Sequence, residues 1–278
     1  MKIVFDSSAD LRGLTKSSSS CAPLKIITAE KEYVDNDSLD IGGMVEDLLH
    51  YKGKSSTSCP NPEDWLSAFG DAREIFCITI TGTLSGSYNA ACVAKNLYIE
   101  RHPDAQICVI NSLSTGPEMK LIIEKLQEWM EGGLHFEEIV PKIETYRQNT
   151  GLLFMLESMR NLANNGRVST LSAKAAGLLG IRVVGKASDR GDLEPLDKCR
   201  GENHALASLV KHLKGLGFAG GKIRIAHCFN ETGAKKLQDL ILAEYPQTHV
   251  QIYPTGGLCS FYAEKGGLLV GFEKAAEL

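Results

Sequence analysis

Short apolar runs alternate with longer amphipathic segments through the first half of the chain, and this alternation restricts the fold more than any other feature. The segments between the runs include Thr83–Arg101 and Gly116–Glu131, whose apolar residues have helical spacing. Strands of a parallel sheet are joined by helical crossovers and are buried on both faces, so the pattern predicts a three-layer α/β sandwich. The apolar runs are KIVFD, LKIIT, IFCITI and QICVIN.

The pattern of apolar runs and helical segments changes near Gly151. The apolar runs after it are LLFML, IRVVGKAS, KIRIAHCF, HVQIY and LLVGF. Helices are predicted at LSAKAAGLLG, Asn203–Leu216 and Glu231–Tyr245, whereas the serine run Ser17–Ser20 is expected to be a loop. We therefore predict two α/β domains: residues 1–150 with a parallel-sheet sandwich, and residues 151–278 with a mixed sheet covered by helices.

Composition narrows the classes of partner. The 278 residues carry a formal net charge of −4 without a basic run, which disfavours nucleic acid and anionic membrane surfaces. The N-terminus has too few apolar residues for a signal peptide, and no stretch is long enough to span a bilayer, so a cytoplasmic protein is expected. The eight cysteines form no C-x-x-C pair and the seven histidines are dispersed, so we predict neither a metal site nor a cofactor.

Two glycine-containing segments resemble nucleotide-binding motifs, but neither has the residues or the order of elements that such a motif requires. The turn TGTLSGSY after IFCITI suits an anion at a helix N-terminus, but it is not followed by a lysine before Lys95, as a P-loop requires. Gly215, Gly217 and Gly220 match G-x-G-x-x-G, yet they follow a predicted helix and precede a strand, the reverse of the dinucleotide-binding order. These glycines are better explained as a helix end.

Polar turns follow the first-half strands at the edge where ligands bind in parallel α/β sheets. They are Asp6-Ser7-Ser8, Thr81–Ser87 and Asn111-Ser112, and the hydroxyl-rich SSTSCPNP and the arginine of NNGRVS add to them. One guanidinium with a few hydroxyls matches a carboxylate better than a phosphate, which recruits more cationic charge. From spacing alone, structural roles remain favoured: Ser85 as a helix cap, Thr57 as a turn residue, and Arg167 in a surface ion pair.

The ordered series of motifs resembles one family, the DegV proteins, over nearly the whole chain. IVFDSSADL resembles the family's I-x-x-D-S-x-A-D-L opening, TSCPNP its T-S-x-P-x-P loop, and TGTLSGSYNAA its S-x-x-L-S-G-T-Y-x-x-A segment. ESMRNLANNGRVS and LLGIRVVGKASDRGDLEPLDKCRG are similar to the G-G-R-I-S segment and to the strand and D-G-x-x-P turn that follow it. Characterised DegV proteins are the fatty-acid-binding subunits of bacterial fatty acid kinase.

The resemblance implies a function as well as a fold. It implies two α/β domains with one long-chain fatty acid between them, and a chain that is not an enzyme by itself. A separate ATP-binding kinase subunit would phosphorylate the bound carboxyl group, giving an acyl phosphate for phospholipid synthesis. Small residues at Ala173–Gly180 and the C-terminal glycines are expected to leave room for the alkyl chain.

The resemblance also assigns roles to residues at matching positions. It implies that the fatty-acid carboxylate is bound by Thr57, Ser85, Gly86, Arg167 and Tyr262. It implies supporting polar turns at Asp6, Ser7, Ser8 and Ser112. It implies that Arg200 takes part in docking of the kinase subunit.

Two positions depart from the family pattern. Tyr262 stands where many members have a histidine, and Asn165 replaces the first glycine of G-G-R. Because tyrosine is not cationic, a regulatory lipid sensor without phosphoryl transfer stays an alternative. A serine hydrolase using Ser85 or Ser112 is a second alternative, although the sequence shows no His–Asp relay for it.

Overall fold

The structure is a computed structural model that describes residues 1–11, 18–168 and 180–275. The strands in chain order are β1 (Lys2–Asp6), β2 (Ser19–Ala22), β3 (Lys25–Ile27), β4 (Glu32–Val34), β5 (Ser56–Ser58), β6 (Glu74–Thr79), β7 (Gln106–Asn111), β8 (Thr150–Leu156), β9 (Ile181–Ala187), β10 (Leu193–Arg200), β11 (Lys222–His227), β12 (His249–Pro254) and β13 (Leu268–Glu273). The described helices are α1 (Ile41–His50), α2 (Pro62–Phe69), α3 (Ser87–Arg101), α4 (Gly116–Glu131), α5 (Phe136–Gln148), α6 (Arg160–Asn164), α7 (Glu202–Gly215), α8 (Glu231–Glu244) and α9 (Gly257–Ala263). A short 3₁₀ turn, Ser7–Ala9, follows β1.

The first-half sheet is parallel, in the order β2-β1-β6-β7, and helices cover both of its faces. Successive residues of β6 alternate between the two faces, as a strand requires. Phe76 and Ile78 pack with α4 and α5, and Phe76 stacks on Phe136 with ring centroids 4.6 Å apart. Ile75 and Cys77 pack with α2 and α3. The predicted three-layer parallel sandwich is confirmed.

Two predictions for this sheet are wrong. LKIIT contributes no parallel strand; β3 is the centre of a separate antiparallel sheet in the order β4-β3-β5. The fourth parallel strand is β2, which includes Ser19 and Ser20 of the run expected to be a loop, while Ser17 lies outside the described residues. An edge strand needs mainly backbone hydrogen bonds on one side, so its polar side chains gave no strand signal.

The second-half sheet is mixed, in the order β10-β9-β8-β13-β11-β12, and only β11 and β12 pair in parallel. Helices α7 and α8 cover one face, and both match the predicted helices closely. Strand β10 was not predicted, because its sequence LEPLDKCR is polar and has a register shift after Pro195, as edge strands tolerate. The predicted helix LSAKAAGLLG comprises residues 171–180, which all lie outside the described residues except Gly180.

The glycine series after α7 ends the helix, as predicted. Gly217 and Gly220 have φ values of +89° and +100°, which other residues rarely adopt. Among the described residues, no helix is both long and apolar enough to cross a bilayer.

Helix α4 connects the two larger sheets. It covers the parallel sheet and also lies against β13 and β11. Arg224, which is 4% exposed, pairs with Glu124 through Nη2 and Oε2 at 2.7 Å. On β13, a Cβ atom at Gly271 would lie 2.5 Å from the backbone carbon of Pro117 and 2.6 Å from the nitrogen of Glu118. The division into domains at residue 150 stays a prediction.

Replacing Gly271 by alanine is expected to force α4 away from β13. We expect Gly271→Ala to lower the free energy of unfolding by about 1–3 kcal/mol, the usual cost of overpacking. The matched control is Gly215→Ala, since nothing lies within 4 Å of a Cβ there, and the added methyl favours helix by about 0.5–1 kcal/mol. Urea unfolding monitored by circular dichroism measures both, and equal stability of the two variants would contradict the close approach.

Candidate functional site

A cavity of about 280 Å³ lies between the parallel and the mixed sheets. Most of its wall is apolar. Leu152, Phe154 and Leu156 of β8 face it, while Leu153 and Met155 face the core under α7, which is the alternation expected of a strand. The other aliphatic residues on the wall are Leu24, Ile80, Leu84, Leu162, Leu193, Leu258, Ala263 and Leu269.

The predicted carboxylate-binding residues lie on the wall of this same cavity. They come from β5, from the start of α3, from the segment after α6 and from α9: Thr57, Ser85, Gly86, Arg167 and Tyr262. Thr57 Oγ1 and Tyr262 OH are 2.7 Å apart and form a hydrogen bond across 205 positions of sequence. The structure thus gathers dispersed polar residues against one apolar space.

The start of α3 supplies the next part of this polar cluster. Its N-cap is Gly86, which has no side chain to cap the first turn, and a helix N-terminus attracts negative charge. Ser85 Oγ accepts a hydrogen bond from Ser87 N at 3.3 Å and also faces the cavity, but Ser85 precedes the N-cap and is not the helix cap of the structural alternative. Beneath it, the Asp6 carboxylate accepts from Ser87 Oγ at 2.6 Å and from Ile80 N at 2.9 Å.

Arg167 supplies a positive charge on the cavity wall. Its Nε donates to Leu84 O at 3.1 Å and its Nη1 donates to Asn165 O. Within the described ranges, no carboxylate lies within ion-pair distance of Arg167, so the predicted alternative of a surface ion pair is not observed there. Asn165, a departure from the family pattern, donates from Nδ2 to Ser55 O at 3.3 Å and so connects this turn to the segment preceding β5.

Electrostatics keep the Tyr262 phenol neutral. Burial raises the pKa of Tyr262, and the hydrogen bond with Thr57 and the positive charge of Arg167 oppose that shift without cancelling it. A neutral phenol can donate a hydrogen bond to an anion, which a phenolate cannot do. Burial likewise raises the pKa of the nearby Cys59 thiol, which therefore stays protonated.

The other predicted site residues do not line this cavity. Asp6 and Ser8 are fully buried beside it, and burial raises the pKa of Asp6 despite its hydrogen bonds. Ser7 and Ser112 line separate cavities of about 590 Å³ and about 290 Å³. Arg200 is exposed at the end of β10.

Neither a hydrolase nor a metal site is apparent in the described residues. There, Ser85 and Ser112 make no hydrogen bond to a histidine; Ser112 Oγ donates to Ser114 O at 3.0 Å. The described part of the chain also holds no group of three His, Cys, Asp or Glu residues arranged for a metal ion.

Some cavity residues were missed from the sequence, and one expectation is wrong. Cys59, Thr115 and Cys259 line the cavity, but scattered small polar residues carry no sequence signal of their own. Among the described residues, the C-terminal glycines do not line it; Gly256 and Gly257 lie against the carboxylates of Asp10 and Asp35 instead.

Comparison with known proteins agrees with this architecture. A DegV domain-containing protein of Streptococcus pneumoniae is 46% identical over 276 residues, 98% of each chain. The structure of the S. pneumoniae fatty acid kinase B3 protein loaded with linoleic acid matches with a TM-score of 0.97 and 46% identity, covering 98% of this chain and 99% of that one. A DegV family protein from Eubacterium eligens loaded with heptadecanoic acid matches with a TM-score of 0.96, again with 46% identity and the same coverage. The DegV family profile matches residues 1–275, and the chain therefore belongs to the DegV family.

Proposed function

We propose that this protein binds one long-chain fatty acid in the cavity between its two larger sheets. The observation that carries the proposal is the asymmetry of the cavity wall, which is mainly apolar but has one side with a cluster of hydroxyls, a helix N-terminus and Arg167. This chemistry suits a molecule with a long apolar body and a single anionic group. The linoleic and heptadecanoic acids bound by the two similar proteins support the same ligand class.

The apolar wall would provide most of the affinity. Each methylene removed from water contributes about 0.8 kcal/mol, so a long chain gains enough to offset the desolvation of its carboxylate. In the proposal, Thr57, Ser85 and Tyr262 donate hydrogen bonds to that carboxylate, the Gly86 end of α3 attracts its charge, and Arg167 neutralises it.

The proposed role is that of a substrate-carrying subunit. A separate ATP-binding kinase subunit would dock on the protein, and a carboxylate oxygen would attack the γ-phosphorus of ATP, releasing ADP and leaving an acyl phosphate for phospholipid synthesis. The likeness to the fatty acid kinase B3 protein supports this partner. Exposed Arg200 is the proposed docking residue, and the cytoplasm is the proposed location.

A regulatory lipid sensor remains the alternative because Tyr262 replaces the histidine of many family members. The two roles share lipid binding and differ in phosphoryl transfer. A hydrolase would show ester turnover that Ser85→Ala abolishes, and we expect no such turnover.

Removing either anchoring hydroxyl is expected to weaken binding without abolishing it. Ser85→Ala and Thr57→Ala should each cost about 1.5–3 kcal/mol of lipid affinity, because each loses a hydrogen bond to a charged group while the alkyl contacts persist. Displacement of a fluorescent fatty acid by linoleic acid measures this effect. Ser38→Ala removes an exposed hydroxyl outside the cavity and is the control. Wild-type affinity in both Ser85→Ala and Thr57→Ala would show that these hydroxyls do not hold the carboxylate.

Replacing Arg167 is expected to change the protonation of the bound acid. Without the guanidinium, Arg167→Ala should raise the pKa of the bound carboxyl and favour the neutral acid. Affinity of the variant should then fall more steeply than that of the wild type as pH rises from 6 to 8, since the free acid ionises. Titration of linoleic acid labelled with ¹³C at its carboxyl carbon reports this pKa directly.

The control for Arg167→Ala is Arg190→Ala, because the side chain of Arg190 is 89% exposed. Identical carboxyl pKa values in wild type and Arg167→Ala would show that the guanidinium does not contact the ligand. Phosphoryl transfer should fall more than binding in Arg167→Ala, because the reaction uses the ionised oxygen as the nucleophile.

Reversing the charge at Arg200 is expected to separate docking from lipid binding. With a kinase subunit and ATP supplied, Arg200→Glu should reduce acyl-phosphate formation about tenfold or more at subsaturating protein and leave linoleic acid affinity unchanged. Arg190→Glu makes the same charge change at another exposed position. No acyl phosphate from the wild type would favour the sensor, and equal rates in the two variants would reject Arg200 as the docking residue.

A further inference from the structure

The seven-residue helix α9 carries Tyr262 to the cavity. Leu258, Cys259 and Ala263 of the same helix also line the wall. At about 1.5 Å per residue the helix is only about 10 Å long, so a small shift at its start moves Tyr262. Whatever fixes the start of α9 therefore determines the distance between Tyr262 and Thr57.

Two carboxylates from the first 35 residues hold the start of α9. Asp35 Oδ1 accepts a hydrogen bond from Gly257 N at 2.7 Å, and Asp35 Oδ2 accepts from Leu258 N at 2.9 Å. Asp10 Oδ1 accepts from the preceding Gly256 N at 2.8 Å. Asp35 is 4% exposed, and its two oxygens bind two successive N–H groups at the start of α9, so this attachment fixes the first turn of the helix.

The two glycines make this approach possible. A Cβ atom at Gly257 would lie 2.7 Å from Asp35 Oδ1, and one at Gly256 would lie 2.8 Å from Asp10 Oδ1. Cβ atoms essentially never approach other heavy atoms this closely, so a side chain at either position would displace the aspartate side chain beside it.

Asp35 and Thr57 belong to the same small antiparallel sheet. Asp35 follows β4, and its own N–H donates to Leu24 O at 2.9 Å. Strand β3 pairs with β4 on one side and with β5, which contains Thr57, on the other. Phe261 of α9 packs with Ile26 of β3 between these two points. The small sheet thus binds α9 at its start through Asp35 and near its end through Thr57.

We propose that Asp35 is a positioning residue of the fatty-acid site, which fixes the start of α9 so that the Tyr262 hydroxyl meets Thr57. The inference rests on the proposed function for its effect on lipid affinity. Its structural part, the placement of Tyr262, holds in the protein without ligand.

A double-mutant cycle tests whether Asp35 acts through Tyr262. Asp35→Asn keeps the shape of the side chain but replaces one acceptor oxygen with a donor, so Leu258 N or Gly257 N loses its partner. We expect linoleic acid affinity to fall roughly tenfold in Asp35→Asn, and less than about twofold further when the change is made in a Tyr262→Phe background. Equal losses in both backgrounds would overturn the proposal, as would wild-type affinity in Asp35→Asn.

Fluorine NMR supplies a readout that needs no lipid. With 3-fluorotyrosine incorporated, the Tyr262 resonance is assigned from its loss in Tyr262→Phe. Asp35→Asn should shift or broaden this resonance, and Gly257→Ala, whose methyl would press on Asp35 and Leu39, should do the same. An unchanged resonance in both variants would overturn the proposal even if affinity fell.

Asp40→Ala is the matched control. Asp40 Oδ1 accepts from Gly43 N at 3.0 Å at the start of α1, so its removal also deletes an aspartate cap. This cap binds the backbone of α1, a helix whose Met44 and Val45 pack with Phe261 of α9, and not the start of α9 itself. The control should lose comparable stability in urea and leave the Tyr262 resonance and lipid affinity unchanged. If Asp40→Ala shifts the Tyr262 resonance as much as Asp35→Asn does, the shift reflects general destabilisation and the proposal is rejected. Absence of linoleic acid binding by the wild type would instead reject the proposed function while the NMR result still decides the positioning role.

Discussion

The packing of α4 against β13 sets the spacing of the two larger sheets, and the cavity depends on that spacing. The missing side chain of Gly271 lets the backbones of the helix and the strand touch, and the buried Arg224 pairs with the partly exposed Glu124 and fixes the helix against β11. Because Arg224 is buried, losing Glu124 would leave its charge uncompensated, so the arrangement resists sliding. A space lined by Phe154 and its neighbours is thereby held between the sheets instead of collapsing.

Charge is distributed unevenly around that space. Arg167, the start of α3 and three hydroxyls provide the polar cluster, and the remainder of the wall is mainly aliphatic. In the proposed function this separates two energetic tasks: the aliphatic wall provides affinity for the alkyl chain, and the polar cluster sets the position and ionisation of the carboxylate. Tyr262, neutral because burial raises its pKa, can donate a hydrogen bond but cannot replace the charge of Arg167.

Local patterns predicted those elements whose own side chains form the core. The apolar runs of β1, β6, β7 and β8 and the helical spacing of apolar residues in α4 are recognisable in the sequence alone. The predictions failed at β2, β3 and β10. Edge strands such as β2 and β10 are stabilised mainly by backbone hydrogen bonds to a neighbour, and the assignment of β3 to a separate sheet depends on which neighbour it meets.

The sequence by itself determined the α/β class, the hydroxyl-rich turns, the absence of a P-loop lysine after the strand IFCITI, and a motif series specific enough to suggest the family. Through that resemblance, and not through spacing alone, it also pointed to Thr57, Ser85 and Arg167. Only the tertiary structure decided that Thr57 meets Tyr262, 205 positions away, and that Asp35 binds the start of α9, 222 positions away. Such contacts depend on how sheets and helices pack, and the short-range periodicity of a sequence does not encode which distant surfaces come together.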